Sequence, residues 1–470
     1  MYQILISLIS SKFVAVLLGP VGVGIKGLLQ SSLSMIEGFT SMGLSRSAVR
    51  DVSMANGSGD EKRIGRTIAA LKRLVWATGL LGLVVTMALS PLLSKLSFGN
   101  YDYTVSFIIL SVTLLLNQLS AGQLVVLQGL RRLKYLAKAS AIGATLGLVV
   151  SVPLYYLLGI KGIVPTLILT SVSSLVLSWY FSHKIQVQEV RITNKEALRE
   201  GKTMMRMGIA MSVSSVLTLL FSYLLRGFIR YQGDLEAVGI FTAGFAIINT
   251  YVGMIFDAMV KDFYPRLSAV CSDNRKCSQL VNQQAEVGVL IMAPMLIACL
   301  VFMPVIIWIL YSEKFMGATD YIMWAIPGML FKLASWAVAL IFTAKGDPKL
   351  YISNEVFGCV LNFVCSIAGY YLGGLTGLGM GFTVSYLLYL VKVYLAARKH
   401  FEFDFYASFK KLYAFQFLLV GLCLALVLVL KGWVLYTVGS ILLLVSGYLS
   451  IKGINDRTNF MEFIKQRRRG

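Results

Sequence analysis

Charge is scarce in this sequence, and acid is scarcer still: 14% of its 470 residues are Asp, Glu, Lys or Arg, and only 22 are acidic against 43 basic. Soluble domains carry roughly 25% charged residues. A chain that is 57% hydrophobic, with a mean hydropathy of +0.75, has no soluble way to hide its apolar side chains. Histidine is down to two residues, and neither His183 nor His400 has a ligand cluster beside it. The six cysteines (Cys271, Cys277, Cys299, Cys359, Cys365, Cys423) have neither metal spacing nor the density of a disulfide scaffold, and read as reduced packing thiols. No GxxxxGK[ST] loop occurs, so the chain is not expected to hydrolyse ATP itself. HExxH and Ser nucleophile elbows are missing too, so neither an enzyme nor a metal or other cofactor is expected.

What the sequence does have is long apolar runs. A membrane-crossing helix needs about 20 mostly apolar residues. Such runs fall at 2–19, 22–44, 74–94, 104–127, 138–158, 161–182, 207–225, 238–260, 286–310, 320–343, 352–372, 375–395, 412–430 and 433–451. The expected fold is an all-α polytopic membrane protein of about fourteen transmembrane helices. Alternate connections hold 33 of the 43 Lys and Arg residues, the opposite connections six. By the positive-inside rule the basic set, and with it both termini, lies in the cytoplasm. The net charge of +21 is then a topology signal, and no nucleic-acid partner is implied.

The sequence also repeats. Tyr155-Tyr156-Leu157, Gly159 and Gly162 recur 215 residues later as Tyr370-Tyr371-Leu372, Gly374 and Gly377. The same offset carries Val23-Gly24-Ile25 onto Val238-Gly239-Ile240, Phe13 onto Phe228 and Lys134 onto Lys349. Matches in one ungapped register mark an internal repeat. Six helices per copy is an even number, so the copies enter the membrane in the same direction, as two parallel six-helix lobes. The expected division is a first lobe at 1–182, a cytoplasmic linker at 183–206, a second lobe at 207–395, and helices 13 and 14 with a basic tail at 396–470. In this register helix 7 begins opposite a point about eight residues before Met1, so helix 1 reads as short.

Intramembrane charge points to a site, because a charged side chain at the centre of a lone helix costs roughly 2.5–3.5 kcal/mol and so faces protein or a wet cavity. Lys26, Gln30, Ser34, Glu37, Ser41 and Ser45 are spaced for one helix face. Ser215, Thr218, Ser222, Arg226 and Arg230 form a second stripe; Thr242, Ala246, Asn249, Gly253 and Asp257 form a third. Lys332 lies near mid-span and falls on Asn117 in the repeat register. Lys12, Lys26, Arg226, Arg230 and Lys332 are the candidate cavity cations, suited to a phosphate or diphosphate. Glu37 and Asp257 are the candidate ion-coupling groups. Snorkelling to the membrane surface is the competing reading for Lys26, Arg226 and Arg230.

The segments SKFVAVLLGPVGVG (Ser11 to Gly24), MGLSRSAVR (Met42 to Arg50) and AVGIFTAGFAIINTYVGMIFDAMVKDFYPRLSAV (Ala237 to Val270) resemble the O-antigen translocases. These are lipid-linked oligosaccharide flippases of the multidrug/oligosaccharidyl-lipid/polysaccharide exporter superfamily. The resemblance implies residence in the bacterial inner membrane, among membrane lipids. It implies movement of undecaprenyl-diphosphate-linked oligosaccharide from the cytoplasmic to the periplasmic leaflet, driven by a Na+ or H+ gradient. A cation-coupled multidrug exporter of the same superfamily is the alternative, although its cavity should be rich in carboxylates.

Overall fold

A computed structural model describes residues 2–458, except positions 58, 186, 188–189, 191, 254, 257–258, 261–262, 264–265, 268–269, 271–272 and 346–347. The description also leaves out the side chains of 2–5, 46, 50, 194–195, 198, 203, 206–214, 250–251, 348–349, 351 and 456–458. Among the described residues there are thirteen α-helices and no strand: α1 Tyr2–Thr40, α2 Leu44–Gly57, α3 Glu61–Phe98, α4 Thr104–Gly129, α5 Leu133–Leu158, α6 Ile163–His183, α7 Asn194–Gln232, α8 Leu235–Phe245, α9 Asn274–Leu310, α10 Ala318–Ala344, α11 Pro348–Phe401, α12 Ala407–Val429 and α13 Gly432–Thr458. In lipid every backbone polar group must be satisfied within its own segment, which is what a helix achieves.

Nine stretches among the described residues are long and apolar enough to cross a bilayer. Three of these are double. Ile6–Thr40 is interrupted at Gly19 (φ 65°), which precedes Pro20. Lys134–His183 is interrupted at Gly159, and Ile352–Phe401 at Gly373 and Gly374. In α11 the chain folds back on itself: Asn362 Nδ2 donates to Ser385 Oγ at 2.9 Å, and Gly369 and Gly377 abut through their backbones. α7, and α8 with the π-helical turn that continues it to Val252, stand at the remaining two of the fourteen expected crossings.

Several helices outrun the apolar runs. α3 starts at Glu61, capped by Asp60, whose carboxylate accepts from Lys62 N at 2.9 Å and Arg63 N at 3.2 Å. α7 starts at Asn194 with a capping box in which Thr193 and Glu196 bond each other's backbone N–H. Hydropathy sees only the lipid-facing part of such helices, whereas Lys, Arg and Glu are good helix formers that carry them on into water. Conversely, the run at 22–44 ends early. Met42 (φ 49°) and Gly43 (φ 62°) break the helix after Thr40, so Ser41 and Ser45 leave the stripe that Lys26 begins.

The repeat is visible in the backbone. Gly159 (φ 55°, ψ −130°) and Gly374 (φ 56°, ψ −137°) make the same left-handed bend 215 residues apart. α4 shifted by 215 would run from 319 to 344, and α10 is Ala318–Ala344. Gly24 packs on the Leu235 carbonyl and Gly239 on that of Pro20, so this contact is its own image under the offset. Neither position has room for a Cβ.

The chain forms two compact units, Met1–Gly239 with Leu310–Ser312, and Ile240–Ile309 with Glu313–Gly470. In the first, α2 lays Leu44, Ala48 and Val52 against Ile68, Leu71, Val125 and Met204, while Arg66 joins Glu196 and Glu200 at 3.7 and 3.3 Å. In the second, Asn282 clamps the α11–α12 loop, donating to Asp404 O at 3.0 Å and accepting from Tyr406 N at 2.8 Å. The Asp404 carboxylate accepts from Tyr394 Oη at 2.8 Å and pairs with Lys410 at 3.1 Å, which holds it below the usual carboxylate range.

Candidate functional site

In the second unit, Lys332 is half-buried on α10. Its Nζ donates to Asn249 Oδ1 at 3.0 Å and lies 5.3 Å from the ring centroid of Tyr386, 5.7 Å from Phe256 and 5.9 Å from Phe382. Among the described residues no carboxylate is within ion-pair distance of it. Ring quadrupoles attract the ammonium by about 0.5–2 kcal/mol each, which offsets part of the desolvation penalty without neutralising the charge. Among the described residues the result is a positive centre without a counter-ion.

Two backbone irregularities build this cage. Asn249 belongs to a π-helical turn, Ala246–Val252, that continues α8; such turns re-aim side chains and recur at functional sites. On α10, Pro327 disturbs the helix one turn and a half before Lys332, and Thr383 of α11 repairs it. The Thr383 hydroxyl accepts from Gly328 N at 3.0 Å and donates to Trp324 O, standing between the two groups that would otherwise bond. Phe382 flanks Thr383, and Tyr386 follows Phe382 by one helical turn, so this stitch sets both rings over the lysine.

The first unit holds a polar cavity of about 480 Å³. Gln30, Ser34 and Glu37 of α1 line it, facing Thr113 and Asn117 of α4 and Thr170, Ser171 and Ser174 of α6. Three members of the first sequence stripe are thus gathered here. Lys26 is not with them; its ammonium sits 5.7 Å from the Tyr155 ring centroid. Arg226 donates to the carbonyl and hydroxyl of Ser222, and Arg230 to Phe98 O at 3.4 Å, where a cation suits the C-terminus of α3. Lys12 is half-buried on the first part of α1, and Asp257 lies outside the described residues.

The aromatic cage and Thr383 were not legible in the sequence. With 26 Phe and 23 Tyr, no single ring stands out. The available signal was the repeat register, which sends Phe382 and Tyr386 to Leu167 and Ser171, both lining residues of the first-unit cavity.

Comparison with known proteins gives three results. The family model described as polysaccharide biosynthesis protein matches residues 13–320. The lipid III flippase of Escherichia coli (strain K12) is 21% identical over 392 residues, covering 81% of this chain and 91% of that protein, and that of Shigella flexneri matches to the same extent. Among solved structures, an inward-facing multidrug resistance MATE family transporter of the MOP superfamily superposes with a TM-score of 0.68 at 16% identity, over 87% of this chain and 96% of that one. The lipid II flippase MurJ in an inward closed conformation gives 0.67 at 12% identity, over 97% and 96%.

Proposed function

The chain belongs to the polysaccharide biosynthesis protein family, and from that premise we propose that it is an inner-membrane flippase for undecaprenyl-diphosphate-linked oligosaccharide of the O-antigen type. It carries the saccharide head from the cytoplasmic to the periplasmic leaflet by alternating access. The observation that carries this reading is Lys332, a caged ammonium with no counter-charge among the described residues. A diphosphate supplies that counter-charge, whereas a cationic drug would be repelled. Similarity to flippases named for lipid-linked substrates supports the same class.

Within this proposal the two repeats, 1–182 and 207–395, are the moving halves, joined by 183–206, with 396–470 appended and both termini cytoplasmic. Lys12, Lys26, Arg226 and Arg230 join Lys332 as cations along the diphosphate's path. A Na+ or H+ gradient drives the cycle, with Glu37 and Asp257 as the coupling carboxylates.

The test is deletion of the gene. Lipid-linked oligosaccharide should accumulate with its head in the cytoplasmic leaflet, detected by its protection from a periplasmic glycosidase. A second reading, a multidrug exporter, draws on the likeness to the multidrug transporter. It predicts hypersensitivity to cationic drugs in the deletion strain with unchanged surface polysaccharide.

A further inference from the structure

The 215-residue register relates the two features described above to one another. Ser34 corresponds to Asn249, Asn117 to Lys332, Leu167 to Phe382, Ser171 to Tyr386 and Ser174 to Tyr389. Each of the first-named residues lines the first-unit cavity. The place that the second repeat fills with a lysine and large rings is therefore, in the first repeat, left open by small and neutral side chains.

That opening is polar at membrane depth. The side chains of Gln30, Ser34, Glu37 and Asn117 have no hydrogen-bond partner among the described residues. Leaving such groups facing hydrocarbon would cost several kcal/mol, so the cavity is built to hold water or a polar ligand. Among the described residues no cation lines it, which argues against a phosphate. Two amides offer paired donor and acceptor edges, the hydroxyls offer both roles, and Leu33, Leu114 and Leu167 give apolar surface for the C–H faces of a ring. A volume of about 480 Å³ is in the range of small-ligand sites, roughly 300–1,000 Å³.

We propose that the first-unit cavity is a saccharide site, which takes the outer, uncharged sugars of the cargo. The proposal rests on the flippase reading and adds to it the part of the cargo that this cavity recognises. Glu37 accepts hydrogen bonds from sugar hydroxyls while ionised, so cargo and coupling ion meet at that carboxylate.

The experiment reconstitutes the full chain in vesicles with two probes: the lipid-linked oligosaccharide extracted from the deletion strain, and the same lipid trimmed by glycosidases to its first sugar. Two variants are compared with the native chain. Ser171→Tyr fills the cavity with the residue that the second repeat carries, and Asn117→Leu removes an amide at nearly constant volume. Melting in detergent identifies any variant that does not fold, and Asn117→Leu keeps the test open if Ser171→Tyr fails.

Flipping of the long-chain probe is expected to fall about tenfold or more in a folded variant, because a site built to hydrogen-bond a hydroxyl discriminates strongly. Flipping of the trimmed probe, which lacks those sugars, should fall several-fold less than that of the long-chain probe. Equal handling of both probes overturns the proposal. Equal loss of both also overturns it, and assigns the cavity to the coupling ion alone. A native chain that flips neither probe sinks the flippase reading, and this site with it, a pattern distinct from either of the others.

Discussion

An ammonium held at membrane depth by three rings and one amide depends on every member of that cage. Removing one ring removes its attraction and leaves a void, so Tyr386→Ala and Phe382→Ala are expected to destabilise the protein by about 3–5 kcal/mol, read from melting in detergent. Asn249→Asp is the more informative change. It places a carboxylate 3.0 Å from Nζ and gives Lys332 a counter-charge that no described residue supplies. The variant should melt no lower than the native chain yet lose transport, because the anion site is already occupied from within. Retained transport would show that Lys332 meets no anion. Lys332 and Asn249 were both legible in the sequence, one as a mid-span charge and the other as a member of a polar stripe. Their contact was not, because the π turn that brings Asn249 round has no sequence signal of its own.

At the scale of elements, the bends and stitches carry the architecture. Gly159 and Gly374 adopt positive φ with ψ near −130° and −137°, a region essentially open to glycine alone, where another residue costs about 1–3 kcal/mol. Alanine at either position should lower stability by about that amount, measured by denaturation in mixed micelles. Thr383→Val leaves Gly328 N–H and Trp324 C=O without their bridge, a loss of about 1–3 kcal/mol. At the loop that Asn282 clamps, Asp404 has its pKa lowered by Tyr394 and Lys410. A depressed carboxylate contributes stability above its unfolded value, near 3.8, and loses it as pH falls through the folded value. Asp404→Asn should therefore lower the melting temperature slightly at pH 7, by the equivalent of less than about 1 kcal/mol for so exposed a pair. The difference from the native chain should shrink as pH falls below about 3.8 and on through the folded value. Helix count was readable because lipid demands a long apolar run for each crossing. Helix ends were not, because α3, α7 and α9 continue into water on charged residues that hydropathy discards. The stripe through Ser45 failed for a related reason: the left-handed Met42 and Gly43 end α1 at a point where polarity shows no change.

At the scale of the whole molecule, the repeat is the organising fact. One offset relates the two glycine bends, α4 to α10, and the mutual packing of Gly24 and Gly239. It was readable because these backbone positions tolerate few side chains, so identity survives there. The divergence between the copies lies at the sites, where Asn117 faces Lys332 and Ser171 faces Tyr386 across the register. A duplicated scaffold has thus been given two unlike chemistries, one centred on a cation and one on hydroxyls, amides and the carboxyl of Glu37. The account depends most on the positive charge at 332. The direct measurement is flipping of fluorescent polyprenyl-diphosphate oligosaccharide in vesicles containing the native chain, Lys332→Arg or Lys332→Gln. The account predicts that Arg retains a substantial part of the rate and Gln loses about tenfold or more at unchanged melting temperature; equal rates for Gln and the native chain would contradict it.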